Sequence, residues 1–245
     1  MRNIKLTIEY DGKNFAGWQT QPGKESIQGE IEAAISSITG EKIEIIGSGR
    51  TDAGVHALGQ VANFHTNSKI EISKFPYAIN SKLKKSIVVN GAEEVDDRFH
   101  ARYNCTGKTY LYIINNNEFP SALNRYREFH MPIKLNIDDM KSALKFFEGT
   151  HDFKGFMSSG GNKRKTTVRT LTKCELSYED GIIRIELSGD RFLYNMVRII
   201  CGTIVDVGLG KIKVEDIRDI INSGDRTRAG KTLPGQGLYL KEVRY

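Results

Sequence analysis

Apolar positions recur along the chain in two rhythms, and the order in which the rhythms appear repeats. Lys5 to Tyr10 alternates apolar and polar residues, as a half-buried strand does. Ser26 to Thr39 carries Ile27, Ile31, Ala34, Ile35 and Ile38 on one face at helical spacing. Ile43 to Gly47 and Gln60 to Thr66 return to strand character. Ser73 to Lys82 reads as a short helix and Ile87 to Val95 as a strand. The order is strand, helix, strand, strand, helix, strand.

The second half repeats that order. Lys108 to Asn115 is a strand. Asp138 to Glu148 is a helix with Met140, Ala143, Leu144 and Phe147 inward, and Asn136 is its candidate N-cap. Val168 to Tyr178 and Ile182 to Ser188 are strands joined by the turn signal Glu179-Asp180-Gly181. Phe192 to Val207 is a helix and Leu238 to Val243 a closing strand, with an extra helix over Val214 to Ser223. The fold class is therefore α+β: two ferredoxin-like βαββαβ halves, 1–104 and 105–245, whose antiparallel sheets abut and leave a central cleft. A cleft is where a polymer substrate would lie.

Composition narrows the partner more than the fold. The chain has 245 residues, long enough for a sizeable core, and a net charge of +6, which permits an anionic partner without demanding one. Basic residues gather at Lys82, Lys84 and Lys85, and at Lys163, Arg164 and Lys165 within a Gly/Ser/Asn segment. The three cysteines, Cys105, Cys174 and Cys201, are widely spaced and the five histidines lack metal-ligand spacing. No structural zinc is expected, and a reducing compartment is. The N-terminus lacks the apolar core of a signal peptide, and Ile199 to Val207 is too short to span a bilayer. A cytoplasmic protein without a membrane partner is expected.

The densest chemistry lies in Gly47-Ser48-Gly49-Arg50-Thr51-Asp52-Ala53-Gly54-Val55-His56-Ala57. Glycine serves where φ is positive or where a ligand approaches the backbone. Taken alone, Gly-Arg-Thr-Asp-Ala-Gly also fits a hairpin connection whose Asp caps its own turn. Three further segments mix charge with aromatic or apolar residues. In Met196-Val197-Arg198, a guanidinium sits in an otherwise apolar helix, where it needs a partner or must reach water along its own stem. On the strand Lys108-Thr109-Tyr110-Leu111-Tyr112, the two tyrosines share a face, as in ordinary cross-strand packing or in base stacking. Phe99-His100-Ala101-Arg102-Tyr103 combines cations with rings that suit phosphate contact and stacking, or a solvated linker.

The eight residues Gly49-Arg50-Thr51-Asp52-Ala53-Gly54-Val55-His56 resemble the signature of the tRNA pseudouridine synthase A family. The opening Tyr10-Asp11-Gly12-Lys13-Asn14-Phe15-Ala16-Gly17-Trp18-Gln19 and the closing Gly235-Gln236-Gly237-Leu238-Tyr239-Leu240 also resemble family motifs, so the likeness covers nearly the whole chain. In the closing motif Gln236 stands where the family often has Glu. The resemblance implies isomerisation of uridine to pseudouridine at positions 38 to 40 of the tRNA anticodon stem-loop, without cofactor, by a homodimer. It assigns Asp52 as nucleophile, Arg198 as its ion-pair partner, and Arg50 as the cation that takes the space of the flipped uridine. Tyr110 stacks on the uracil and is a candidate acceptor of the C5 proton. Leu238 is a candidate for the opposite side of the base, or simply part of a closing strand. Phe99 to Tyr103, together with Lys163, Arg164 and Lys165, would grip the RNA.

Three other functions compete with this reading: a non-catalytic RNA-binding paralogue, a related synthase for other uridines, and a hydrolase using Asp52 as general base. The joint presence of Arg50, Asp52, Tyr110 and Arg198 argues against a pure binder. For the hydrolase, the signature sets no second carboxylate beside Asp52. The catalytic residues do not separate one target uridine from another.

Overall fold

The computed structural model describes residues 1–160 and 166–245. It is a mixed α+β chain, with ten strands and five α-helices among the described residues. These fall into two compact units: Met1–Thr106 together with Tyr239–Tyr245, and Gly107–Leu238.

In the first unit β1 (Arg2–Tyr10) is central. It pairs antiparallel with β3 (His56–Thr66) on one side and with β4 (Ile87–Val95) on the other. The short β2 (Ile46–Gly47) pairs with Asn63 and Ala62 of β3. The chain before it, Ile43 to Ile45, makes no ladder, so the strand expected over Ile43 to Gly47 contracts to its last two residues. The last strand, β10 (Leu238–Arg244), runs parallel to β3, with Tyr239 opposite His56 and Leu240 opposite Ala57. The sheet of this unit is thus mixed rather than wholly antiparallel. β10 arrives from the far end of the chain, so no hairpin dictates its direction.

Helix α1 (Ile27–Thr39) begins at Ser26, whose side chain accepts from the Gly29 N–H, and ends at Gly40 in the left-handed region. It buries Ile27, Ile31, Ala34 and Ile35. α2 (Phe75–Asn80) follows a single 3-10 turn and buries Phe75 edge-on to Phe64 at 5.9 Å. Pro76 in its first turn suits a helix start.

In the second unit β5 (Gly107–Asn115) pairs with β9 (Ile182–Gly189), β9 with β8 (Val168–Glu179), and β8 with the edge strand β7 (Gly149–Asp152), all antiparallel. A two-residue strand, β6 (Phe129–His130), lies parallel to the end of β5. Sequence periodicity did not reveal β6 or β7, which are too short to show it. α3 (Ile137–Leu144) starts at Asn136, whose side chain accepts from the Asp139 N–H, and its last expected turn tightens to 3-10. α4 (Met196–Gly208) packs on α3 and β5, and α5 (Ile217–Ser223) follows one 3-10 turn.

The helix expected from Phe192 begins four residues late. Asn195 has φ +61°, a left-handed conformation that Asn tolerates better than most residues but that no right-handed helix contains. Phe192 is used instead to pack edge-on against Tyr110, with ring centroids 4.9 Å apart. Burial is deepest at Ile4, Leu6, Ile8 and Phe64 in the first unit, and at Tyr112, Ile185, Leu187, Ile200 and Ile204 in the second.

Candidate active site

Asp52 sits in the connection between β2 and β3, half-buried, with Arg50 exposed two residues before it. The loop is pinned at three levels. At its start the Gln60 side chain donates from Nε2 to the Gly49 carbonyl (3.0 Å). Its Oε1 accepts from Ser48 Oγ (2.7 Å) and from the Val61 N–H (3.1 Å). In the middle, the Trp18 N–H donates to the Thr51 carbonyl (3.0 Å), and the Thr51 hydroxyl shares a 2.7 Å hydrogen bond with the buried Tyr10 phenol. At its end the Val55 N–H donates to the Asp52 carbonyl (3.1 Å), which closes a tight turn.

Beside Gln60 of β3, the pinning residues come from the opening segment Tyr10 to Gln19. Gly17 has φ +103°, and a Cβ there would stand 2.5 Å from the Thr51 carbonyl oxygen. A Cβ on Gly12 would stand 2.0 Å from the Val55 carbonyl oxygen. Both positions need glycine because the loop backbone occupies the space of a side chain. The Gly12 N–H donates to His56 Nδ1 (3.1 Å), which also lies 3.2 Å from Asp11 Oδ1. The buried His56 ring stacks on Tyr239 at 4.8 Å. Gln19 reaches the loop's exposed side, where its Oε1 accepts from Arg50 Nη1 at 2.6 Å. Burial raises the Tyr10 phenol pKa well above its usual value, with the hydrogen bonds to Thr51 and Gln60 pulling the other way, so its hydroxyl keeps its proton. Reading the sequence assigned no role to Tyr10, Gly12, Gly17, Gln19, His56 or Gln60. Their spacing carries no sign of the partner, since Tyr10 and Thr51 are 41 positions apart.

Tyr110, Arg198 and Leu238 belong to the second unit. Tyr110 is half-buried on β5 against Phe192, while Tyr112 on the same face is fully buried and donates its hydroxyl to the Pro234 carbonyl (2.8 Å). The two tyrosines therefore part company: Tyr112 is core and Tyr110 keeps some exposure. Burial drives the Tyr112 phenol pKa up, and the positive charge of Arg198 opposes that rise. Arg198 does not simply run out along its stem to water. Its Nε donates to the Leu233 carbonyl (2.6 Å) and its Nη1 to Asn195 Oδ1 (2.7 Å). The Leu233 N–H donates back to the Arg198 carbonyl (3.3 Å). Leu238 is buried and follows Gly237, which lies against the Tyr112 ring. Gln236 donates from Nε2 to the Arg125 and Glu128 carbonyls, both at 3.1 Å; a carboxylate there could not donate.

Phe99 to Tyr103 belong to the first unit and are folded as a turn rather than a loose linker. Asn3 Nδ2 donates to the Phe99 carbonyl (2.9 Å), and Asn63 Oδ1 accepts from the Ala101 N–H (2.8 Å). The Arg102 and Tyr103 N–H groups approach His100 Nδ1 at 3.2 and 3.3 Å. Phe99 packs on Tyr245, and Ala101 is buried. Arg102 and the 70% exposed Tyr103 face water, with the guanidinium 5.9 Å from the ring centre. Lys163, Arg164 and Lys165 lie outside the described residues.

Among the described residues no three His, Cys, Asp or Glu side chains converge to hold a metal ion, and no helix is long and apolar enough to cross a membrane. A groove of about 630 Å³ lined by Phe146, Val214, Arg218 and Ile221 contains none of the candidate residues.

Residues 6–104 and 143–245 match the family described as tRNA pseudouridine synthase. The tRNA pseudouridine synthase A of Acetivibrio thermocellus is 54% identical over 245 residues, covering all of both chains. The tRNA pseudouridine synthase A 2 of Clostridium perfringens is 53% identical and the tRNA pseudouridine synthase A of Caldicellulosiruptor saccharolyticus 51%, each over the full length of both chains.

Proposed function

The chain belongs to the tRNA pseudouridine synthase A family and is an isomerase of tRNA uridines, and we propose that it acts at positions 38 to 40 of the anticodon stem-loop with Asp52 as nucleophile. The observation that carries this reading is the anchoring of the Arg50-Thr51-Asp52 backbone on both sides. A nucleophilic carboxylate must be held where the substrate arrives, and hydrogen bonds at Gly49, Thr51 and the Asp52 carbonyl hold the backbone that carries it.

The net reaction breaks the bond between N1 and C1′ of uridine, joins C1′ to C5, removes the C5 proton and leaves a proton on N1. Asp52 bonds transiently to the nucleotide as the N1–C1′ bond breaks, the freed uracil turns while still held, and the bond to Asp52 is broken again once C1′ has joined C5, which regenerates the carboxylate. Partial burial alone would favour the neutral carboxyl, and the guanidinium of Arg198 as partner keeps it ionised. The hydrogen bonds of Arg198 to Leu233 and Asn195 support this role, because they orient the guanidinium before any substrate binds. Tyr110 stacks on the uracil and accepts the C5 proton as its own hydroxyl proton passes to solvent, and Leu238 covers the opposite side of the base.

A uridine within a stem must leave its stack before reaction, at roughly a few kcal/mol. Arg50, exposed and held by Gln19, fills the vacated space. Arg102, Tyr103, Lys163, Arg164 and Lys165 contact the RNA, with Phe99, His100 and Ala101 shaping that segment. The units are ferredoxin-like halves, the enzyme is a cytoplasmic homodimer, and it needs no cofactor. The test is to map pseudouridine in tRNA transcripts after incubation with the protein. Modification confined to positions 38 to 40 supports the assignment, and modification only elsewhere overturns it.

A further inference from the structure

We propose that Tyr10 and Thr51 form a positioning pair that sets the direction of the Asp52 carboxylate. This rests on the reading of Asp52 as nucleophile. Thr51 is the residue immediately before Asp52, and it is fixed at two atoms. Its carbonyl accepts from the Trp18 N–H at 3.0 Å, which sets the peptide plane on the Asp52 side. Its hydroxyl meets the Tyr10 phenol at 2.7 Å, which sets the rotation of the side chain and hence of the residue.

Tyr10 is able to serve as a fixed point. It is 3% exposed and ends the central strand β1, opposite Ala57 on β3, the strand that follows the loop. Its ring leans on Trp18, with centroids 6.1 Å apart. One residue thus connects the sheet, the Trp18 arm and the residue before the nucleophile. The Thr51 hydroxyl is itself in a 7% exposed residue, so removing its partner leaves a buried polar group seeking a new one, and the loop must move to supply it. Displacements on the order of an ångström in a reacting group can cost about a hundredfold in rate. The Gly17 contact shows how closely the arm lies on this peptide, with room for no added carbon.

The pair touches no reacting atom, so its loss should slow chemistry and spare tRNA affinity. The experiment compares Tyr10→Phe, Thr51→Val, Thr51→Ser and the double variant Tyr10→Phe/Thr51→Val. It measures single-turnover rates, tRNA dissociation constants and urea midpoints, beside Asp52→Asn as control. We expect Tyr10→Phe and Thr51→Val each to lower the single-turnover rate about 10-fold to 100-fold, within the scale that misplacement produces. Dissociation constants should stay within about twofold, and the double variant should lose no more than the worse single one, as coupled partners do. Thr51→Ser, which keeps the hydroxyl, should recover most of the rate. The proposal is overturned if folded Tyr10→Phe and Thr51→Val keep the parent rate, if the double variant is fully additive, or if Thr51→Ser is as slow as Thr51→Val. Should Tyr10→Phe not fold, the Val and Ser variants at Thr51 decide alone. Retained turnover in Asp52→Asn would instead remove the underlying reading of Asp52, whatever the pair does.

Discussion

Asn195 and Arg198 stand one helical turn apart, and the Asn195 Oδ1 accepts a 2.7 Å hydrogen bond from the Arg198 Nη1. Asn195 holds φ +61° and donates from Nδ2 to Ser158 Oγ at 3.0 Å. One residue therefore ends the loop from Phe192, starts α4 and aims the guanidinium. Asn195→Gly keeps the backbone and deletes the aim, whereas Asn195→Ala also strains the backbone. Asn195→Gly should lower turnover about tenfold, the effect of one charge-assisted hydrogen bond worth about 1.5 kcal/mol. Asn195→Ala should in addition lose about 1–2 kcal/mol of stability in urea titration, the cost of left-handed backbone in an L-residue. Equal stabilities of the two variants would contradict the strain argument.

Gly17 and Gly12 admit no side chain. Gly17→Ala places a carbon 2.5 Å from the Thr51 carbonyl oxygen at a φ of +103°, and Gly12→Ala places one 2.0 Å from the Val55 carbonyl oxygen. Both variants should lose at least about 1–3 kcal/mol in urea unfolding, as overpacking of a close contact does. Gly40→Ala is the useful contrast. Gly40 shares a positive φ of +72° but has nothing within 4 Å, so its loss should be confined to backbone strain of about 1–2 kcal/mol and should leave turnover intact.

RNA binding divides into charge and stacking. Arg102→Ala should flatten the log–log dependence of tRNA affinity on salt by about one unit, as loss of one phosphate contact does. Tyr103→Ala should weaken binding by about 1–3 kcal/mol at every salt concentration and leave the slope alone, because stacking releases no counterions. A salt titration of both variants by filter binding checks this. Identical slopes for the parent and Arg102→Ala would remove Arg102 from the interface.

Stability should fall at alkaline pH. Burial, aided by the charge of Glu148, pushes the Cys174 thiol up to about 12 from an ordinary value of 9.0, and burial raises Cys201 as well. A thiol protonated in the fold but ionised when unfolded contributes its full stability below about pH 9. That contribution is lost as pH climbs from about 9 toward 12, since only the unfolded chain releases its proton there. Urea midpoints for the parent should therefore drop over that window, and Cys174→Ala should drop less steeply. The same burial predicts that alkylation of the native protein at pH 8 labels the half-exposed Cys105 first.

Much of this was legible in the residues, and the failures share a cause. The Ile27-Ile31-Ile35 spacing and the Asn136 cap located their helices because both signals are local. The start of α4 is hidden in the sequence because Phe192, Leu193 and Tyr194 continue the apolar pattern, while the left-handed Asn195 that ends it is a backbone state with no periodicity. Ile43 to Ile45 have a strand's apolar pattern, but a ladder needs a neighbour, and only Ile46 and Gly47 have one. At the site, the eight-residue signature marked Asp52 and Arg50. The residues that hold them, Tyr10, Gly12, Gly17 and Gln60, act across the fold, and distance in sequence hides such contacts.

The most direct test of the central claim is tritium release from tRNA labelled at uridine C5, comparing the parent with Asp52→Asn. Release by the parent and none by the variant, with tRNA binding equal in the two, is the expected result. Release by Asp52→Asn at a rate near that of the parent would contradict the assignment of Asp52 as nucleophile.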